Sequence, residues 1–165
     1  MSLRVRCVLD HEAEAAFAVL KRVSVWLEQL GRRQRIAKTT FDTYMLWQNS
    51  GVNYVVVDDL EIAGIFSLPY EPLTEWRTTL DIEEPVAWLR ALATDPAHRR
   101  KGIGALAVSH ALEVRSPAAI YLDCVSGFLP SYYGSLGFEV IGTQTRQYPD
   151  EDHIYDITLM KNPNR

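Results

Sequence analysis

Residues 92–113 read LATDPAHRRKGIGALAVSHALE, and the fold prediction grows outward from them. The run VAWLRALAT, ending at Thr94, predicts a strand. From Gly102 to Arg115, GIGALAVSHALEVR sets Ile103, Leu106, Ala107, His110 and Leu112 on about one helical face, which predicts a helix. Between the two stand His98, Arg99, Arg100 and Lys101, directly before Gly102-Ile103-Gly104, in a chain of formal net charge −4. A strand that turns into a glycine-containing helix start is suited to anions. Its first amide hydrogens have no intrahelical partner, and the helix dipole adds partial positive charge there. Gly102 and Gly104 remove side chains that would keep a phosphate off the backbone, and Arg99, Arg100 and Lys101 add full charges at the rim. One such cluster on an acidic protein points to a compact polyanion, pyrophosphate first, rather than a long nucleic-acid backbone.

Before this stretch, LRVRCVL alternates as a first strand. Asp10 is the expected cap of a helix carrying Ala13, Ala16, Phe17, Leu20, Val23, Trp26, Leu27 and Leu30, stopped at Gly31. GRRQRIAK reads as a solvated basic loop. TTFDTYMLWQNSG predicts a second helix capped by Thr40 or Thr39 and ended by Gly51. NYVVVDDLEIAGIFSLP predicts two strands around an Asp58-Asp59 turn. Residues 70–85 read as an irregular insertion ending at Pro85. After the helix at 102–115, AIYLDCV is a strand, so the pattern contains a β-α-β unit and two neighbouring parallel strands. PSYYGSL reads as a short helix, FEVIGTQ and HIYDITLM as the last strands. The expected order is β-α-α-β-β-β-α-β-α-β-β, an α/β (α+β) mixed sheet with helices on both faces.

The bulk properties limit the classes open to the chain. Its 165 residues suit one domain, 1–165, with a core large enough to need no staples. At 47% hydrophobic and 23% charged residues, its composition is that of a folded globular chain rather than a disordered one. The acidic net charge argues against nucleic acid or an anionic membrane surface as a partner. No run approaches the roughly 20 apolar residues of a membrane span, and the start lacks a signal-peptide core. Cys7 and Cys124 are far apart without a CxxC, and the histidines lack metal-ligand spacing. The expectation is a cytoplasmic protein without a metal.

Three ligand classes compete for the loop. A nucleoside-triphosphate P-loop needs GxxxxGK[ST], and Lys101 precedes the glycines instead. Residues 102–107 match GxGxxA, with Asp123 about 20 residues on, as a dinucleotide fingerprint asks. Against it, DPAHRRK separates strand from glycines, and too little chain remains for a doubly wound sheet. The third class is coenzyme A. Here the stretch resembles the signature of the GNAT superfamily of acyl-CoA-dependent N-acyltransferases, whose loop reads [Q/R]xxGx[G/A], on this sequence Arg99-Arg100-Lys101-Gly102-Ile103-Gly104. A second block, YLDCVSGFLPSYYGSLGFEVIG, resembles the family's later strand–helix–strand segment, in which a tyrosine precedes a LGF turn.

The resemblance implies acetyl-CoA as acyl-donor co-substrate and a small amine or peptide amine as acceptor. Leu92, Ala93 and Thr94 would pair their backbone with the pantetheine arm. Arg99, Arg100, Lys101, Gly102, Ile103, Gly104 and Ala105 would hold the pyrophosphate through backbone N–H groups. Tyr133 matches the family's general acid, with Tyr132 in reserve. This sequence lacks the Asn that family members often carry about six residues before that tyrosine. No single base stands out; Glu83, Glu84 and Asp123 are candidates, and Asp81 and Glu84 also read as solvated loop charges. Folds of this type pair through late strands, so a homodimer is allowed but not set by the sequence. A non-catalytic acyl-CoA-binding module is the rival reading, and a nucleic-acid binder using Arg32, Arg33, Arg35 and Arg99–Lys101 a weaker third. Cys124 and His110 read as core residues, and Trp76 as core or as the lining of an acceptor pocket.

Overall fold

The computed structural model describes residues 2–32, 38–76, 82 and 85–164. In chain order the elements are β1 (Leu3–Cys7), α1 (Ala13–Gln29), α2 (Phe41–Asn49), β2 (Asn53–Asp58), β3 (Glu61–Ser67), β4 (Tyr70–Glu71), β5 (Val86–Trp88), β6 (Arg90–Thr94), α3 (Ile103–Arg115), β7 (Ile120–Val125), α4 (Phe128–Ser135), β8 (Glu139–Gln147) and β9 (Ile154–Asn162). They form two compact units, each assembled from two chain segments: Met1–Pro69 with Leu89–Val114, and Tyr70–Trp88 with Arg115–Arg165.

The first unit is built on an antiparallel sheet of order β1-β2-β3-β6. Every residue of β2 is buried, because side chains alternate between faces and helices cover both. On one face Val55, Val57, Ile65 and Ala93 share a core with Ala16, Phe17, Leu20 and Val23 of α1 and Tyr44 of α2. On the other, Tyr54 and Phe66 stack with centroids 5.1 Å apart and meet the edge of His110 of α3, which sits in an aromatic cluster as its apolar face suggests. The β2–β3 hairpin pairs Asp58 with Glu61, leaving Asp59 (φ +54°) and the exposed Leu60 as its two-residue loop. Thr40 caps α2 as predicted, its Oγ1 accepting from the Thr43 amide at 3.1 Å. Gly31 and Gly51 each adopt a φ of +68°, the left-handed step that ends a helix. Asp10 does not cap α1. A 3-10 turn, Asp10–Glu12, precedes that helix, and the Asp10 carboxylate accepts instead from buried Gln48 at 3.0 Å.

The second unit holds a five-stranded sheet, order β4-β5-β7-β9-β8. Its core gathers Leu73, Trp76, Val86, Trp88, Tyr121, Tyr155, Ile157 and Leu159. β5 and β7 run parallel, as the β-α-β pattern predicts, with Ala87 opposite Ile120 and Trp88 opposite Tyr121. Two differences from the expected architecture stand out. The predicted strand 86–94 divides at Leu89: β5 joins this sheet and β6 the other, so the mixed sheet is two hydrogen-bonded sheets. The insertion also carries an ordered piece, β4, whose Glu71 carbonyl accepts from the Trp88 indole at 3.1 Å.

Candidate functional site

The anion-binding candidate lies wholly in the first unit. β6 is the last strand of its sheet, hydrogen-bonded to β3 on one side. Its register slips between the Ile65–Ala93 and Ser67–Arg90 pairs, so Ala91 and Leu92 face the single residue Phe66. This is a β-bulge, and Ala91 adopts a φ of +51° within it. Bulges bend a strand and re-aim its groups, so Leu92 sits at the bulge, followed by Ala93 and Thr94, which pair with Ile65 and Gly64 on the sheet edge. Ala93 is buried, and Leu92 and Thr94 are half-buried.

After β6 the chain makes a 3-10 turn, Pro96–His98, and then two left-handed steps, at Arg100 (φ +65°) and Gly102 (φ +74°). The first i→i−4 bond of α3 runs from the Leu106 amide to the Gly102 carbonyl at 3.0 Å. The amides of Ile103, Gly104 and Ala105 precede it and have no intrahelical acceptor. A Cβ on Gly102 would meet nothing within 4 Å, so the space before the helix is open. Beneath this point α3 comes hard against the sheet: a Cβ on Gly64 of β3 would stand 2.6 Å from Ile103 Cγ2 and 3.1 Å from the Ala93 carbonyl. A glycine inside a strand pattern signals such an approach, and Gly64 carries that signal within β3.

The basic run is less free than its sequence suggests. Lys101 Nζ donates to Asp58 Oδ2 at 2.6 Å, and His98 Nδ1 faces the same oxygen at 3.2 Å. Arg99 donates to the Pro96 carbonyl at 3.1 Å and lays its guanidinium 4.9 Å from the centroid of Trp26 of α1. Asp95, at the start of the turn, accepts from the Ala97 amide at 3.0 Å and from Arg22 Nη2 at 2.7 Å. Burial pushes the Asp95 carboxyl up, but the Ala97 amide and Arg22 outweigh it and leave it below the usual carboxylate range. Only Arg100 in this run has a side chain without a partner among the described residues. Asp58, Asp95, Arg22 and Trp26 thus shape the loop although no local motif marks them.

The other candidates fall in the second unit. Tyr133 of α4 packs edge-on against Phe138 at 5.9 Å and against Tyr132 at 5.2 Å. Its hydroxyl has no hydrogen-bond partner among the described residues. Burial pushes the Tyr133 phenol far above its ordinary value, with Cys124 and Tyr132 adding to the shift, and burial also raises Tyr132. Cys124 is pushed up to about 12, by burial first and then by Asp123, so it is a protonated thiol near neutral pH rather than a nucleophile. Asp123 Oδ2 accepts from the Trp76 indole at 3.2 Å and lies 3.6 Å from Arg146 Nη1. Arg146 in turn covers the Trp76 ring at 4.5 Å and donates to Gln144 and Glu75. Trp76 is thereby a core residue, 1% exposed. Asp81, Glu83 and Glu84, like Arg33 and Arg35, lie outside the described residues. No group of three metal-ligating side chains occurs among the described residues, and none of their helices is long and apolar enough to cross a membrane.

Comparison with known proteins bears on this arrangement. A ribosomal-protein-S18-alanine N-acetyltransferase from Escherichia coli has a similar structure, with TM-score 0.70 and 18% identity over 97% of this chain and 92% of that one. A GNAT-family acetyltransferase from Streptococcus agalactiae superposes at TM-score 0.74 with 9% identity, covering 95% and 94% of the two chains. A chain of the NatC complex bound to Gag peptide and CoA gives TM-score 0.69 and 19% identity, covering 99% of each. At these identities the likeness establishes the fold. Among curated proteins no sequence matches. The family model "Acetyltransferase (GNAT) family" matches residues 21–138, which contain β6, the loop, α3 and α4. By that match, the chain belongs to the GNAT acetyltransferase family.

Proposed function

We propose that the protein transfers an acetyl group from acetyl-CoA to a primary amine by direct attack in a ternary complex. The observation that supports this most is the loop before α3. Two left-handed steps, Arg100 and Gly102, lead into helix-start amides that have no intrahelical acceptor, with open space at Gly102, which suits a diphosphate. In this reading Arg99, Arg100, Lys101, Gly102, Ile103, Gly104 and Ala105 supply the main-chain donors, with Arg100 adding a free charge. Leu92, Ala93 and Thr94 offer the edge of β6 to the amide-rich pantetheine arm.

The amine nitrogen attacks the thioester carbonyl carbon, and main-chain amides stabilise the charge that grows on its oxygen. As the tetrahedral centre collapses, the C–S bond breaks and the sulfur leaves as thiolate. Tyr133 donates to that sulfur. Its raised pKa keeps the phenol protonated at neutral pH. It also makes full proton transfer to a thiolate with a conjugate acid near 8.5 uphill, so hydrogen-bond donation carries the stabilisation. The acceptor enters as an alkylammonium, of which about one part in 2500 is free amine at pH 7, and deprotonation takes roughly 4–5 kcal/mol. Asp123 and Glu84 are the candidate carboxylates for this relay, acting through water. Free Cys7 and Cys124 suit a reducing compartment, and a cytoplasmic location goes with this reading.

A binding module without turnover is favoured by one observation: Asp123 is already engaged by Trp76 and Arg146. Thiol release from acetyl-CoA across amines, peptides and aminoglycosides separates the two readings. Gly102→Asp tests the site itself. The new side chain meets open space, and Asp tolerates positive φ better than most residues, so the variant should fold while CoA affinity falls at least tenfold. Undiminished affinity in folded Gly102→Asp protein refutes the site.

A further inference from the structure

We propose that Asp58, at the end of the β2–β3 hairpin, is the positioning residue that holds the loop 98–102 in its anion-binding shape; the inference rests on the acyl-CoA reading of that loop. Asp58 is 6% exposed and lies 43 residues from Lys101 in sequence, yet its Oδ2 binds both flanks of the Arg99-Arg100 step. On the far side Lys101 Nζ donates at 2.6 Å, and on the near side His98 Nδ1 lies at 3.2 Å. The Nε2 of His98 reaches Glu61 Oε2, across the same hairpin, at 3.2 Å. Asp58 Oδ1 is buried without a partner among the described residues, so Lys101 and His98 are what compensate the carboxylate. The Lys101 hydrogen bond, with His98 beside it, holds its carboxyl below the usual range, and the brace persists at neutral pH.

Between the two fastened flanks Arg100 adopts φ +65°, a conformation a side-chain-bearing residue rarely takes and keeps only where its surroundings fix it. Lys101 therefore acts through its backbone and its grip on Asp58 rather than as a phosphate cation. This makes a prediction opposite in sign to simple electrostatics. Removing a negative charge near the loop and releasing a lysine should tighten a polyanion if charge alone mattered. If Asp58 positions the loop, the same change should loosen it.

The test is Asp58→Asn. Calorimetry with CoA should show affinity lowered about tenfold, and kinetics with acetyl-CoA should show a raised KM with kcat changed less than twofold. Hydrogen exchange of the amides of 98–103 in ligand-free protein should speed up. Equal or tighter CoA binding by the folded variant, or exchange at the wild-type rate, overturns the proposal. Should Asp58→Asn not fold, Lys101→Met carries the same test: wild-type exchange in its loop overturns the proposal and faster exchange supports it. Exchange needs no ligand, so a wild-type protein that ignores CoA would defeat the acyl-CoA reading while the loop measurement still reports on Asp58.

Discussion

Gly64→Ala joins the fold to the site. The substitution adds one methyl to the middle of β3, where Ile103 Cγ2 would be 2.6 Å away and the Ala93 carbonyl 3.1 Å. Ordinary carbon contacts start about 0.8 Å further out. Neither neighbour yields easily. Cγ2 is on the branched Cβ of a buried isoleucine, and the carbonyl belongs to β6. The strain of overpacking is about 1–3 kcal/mol, which for a chain of this size lowers Tm by about 2–12 °C. Ile103 is also the first residue of α3, so relief by moving the helix shifts the amides proposed to hold the diphosphate. Misaligning one charged hydrogen bond of about 1.5 kcal/mol raises Kd roughly tenfold. Thermal melting and calorimetry with CoA measure both effects on one sample. Adding Ile103→Ala, which deletes the obstructing methyl, should recover part of the affinity. A Gly64→Ala protein with wild-type Tm and wild-type CoA affinity would refute the link between this packing and the loop.

Two further outcomes follow from the second unit. Tyr133→Phe should lower kcat by about 100-fold or more while CoA affinity stays within about twofold; unchanged turnover would move the donor role to Tyr132 or remove it. Cys124, its thiol pushed up to about 12 by burial and Asp123, should react with iodoacetamide at pH 8 roughly tenfold or more slowly than exposed Cys7. Comparable labelling of the two by mass spectrometry would contradict that environment.

Local signals carried much of the fold. Thr40, Gly31 and Gly51 bound their helices where capping chemistry expects, and the apolar stripe of α1 is buried from Ala13 to Val23, half-buried at Trp26 and Leu27, and exposed at Leu30. The loop at 98–102 was legible because glycines and charges adjoin a strand end and a helix start. What escaped depends on distant partners. Ala91 and Arg100 take positive φ without being glycine, so composition gives no warning. The division of 86–94 between two sheets was invisible because alternation specifies a face, not a neighbour. Lys101 reads as a rim charge until the hairpin brings Asp58 to it. Likewise Asp123 reads as a free carboxylate until Trp76, 47 residues away, donates to it. Gly64 is the exception, a strand glycine whose local signal announces close approach.

Calorimetry comparing CoA with pantetheine tests the central claim most directly, because the two share the thiol arm and differ by the nucleotide and its phosphates. Saturable one-to-one binding of CoA, with pantetheine at least 100-fold weaker, is the expected result. Equal affinity for both, or no uptake of CoA by folded protein, would contradict a loop built to hold the diphosphate.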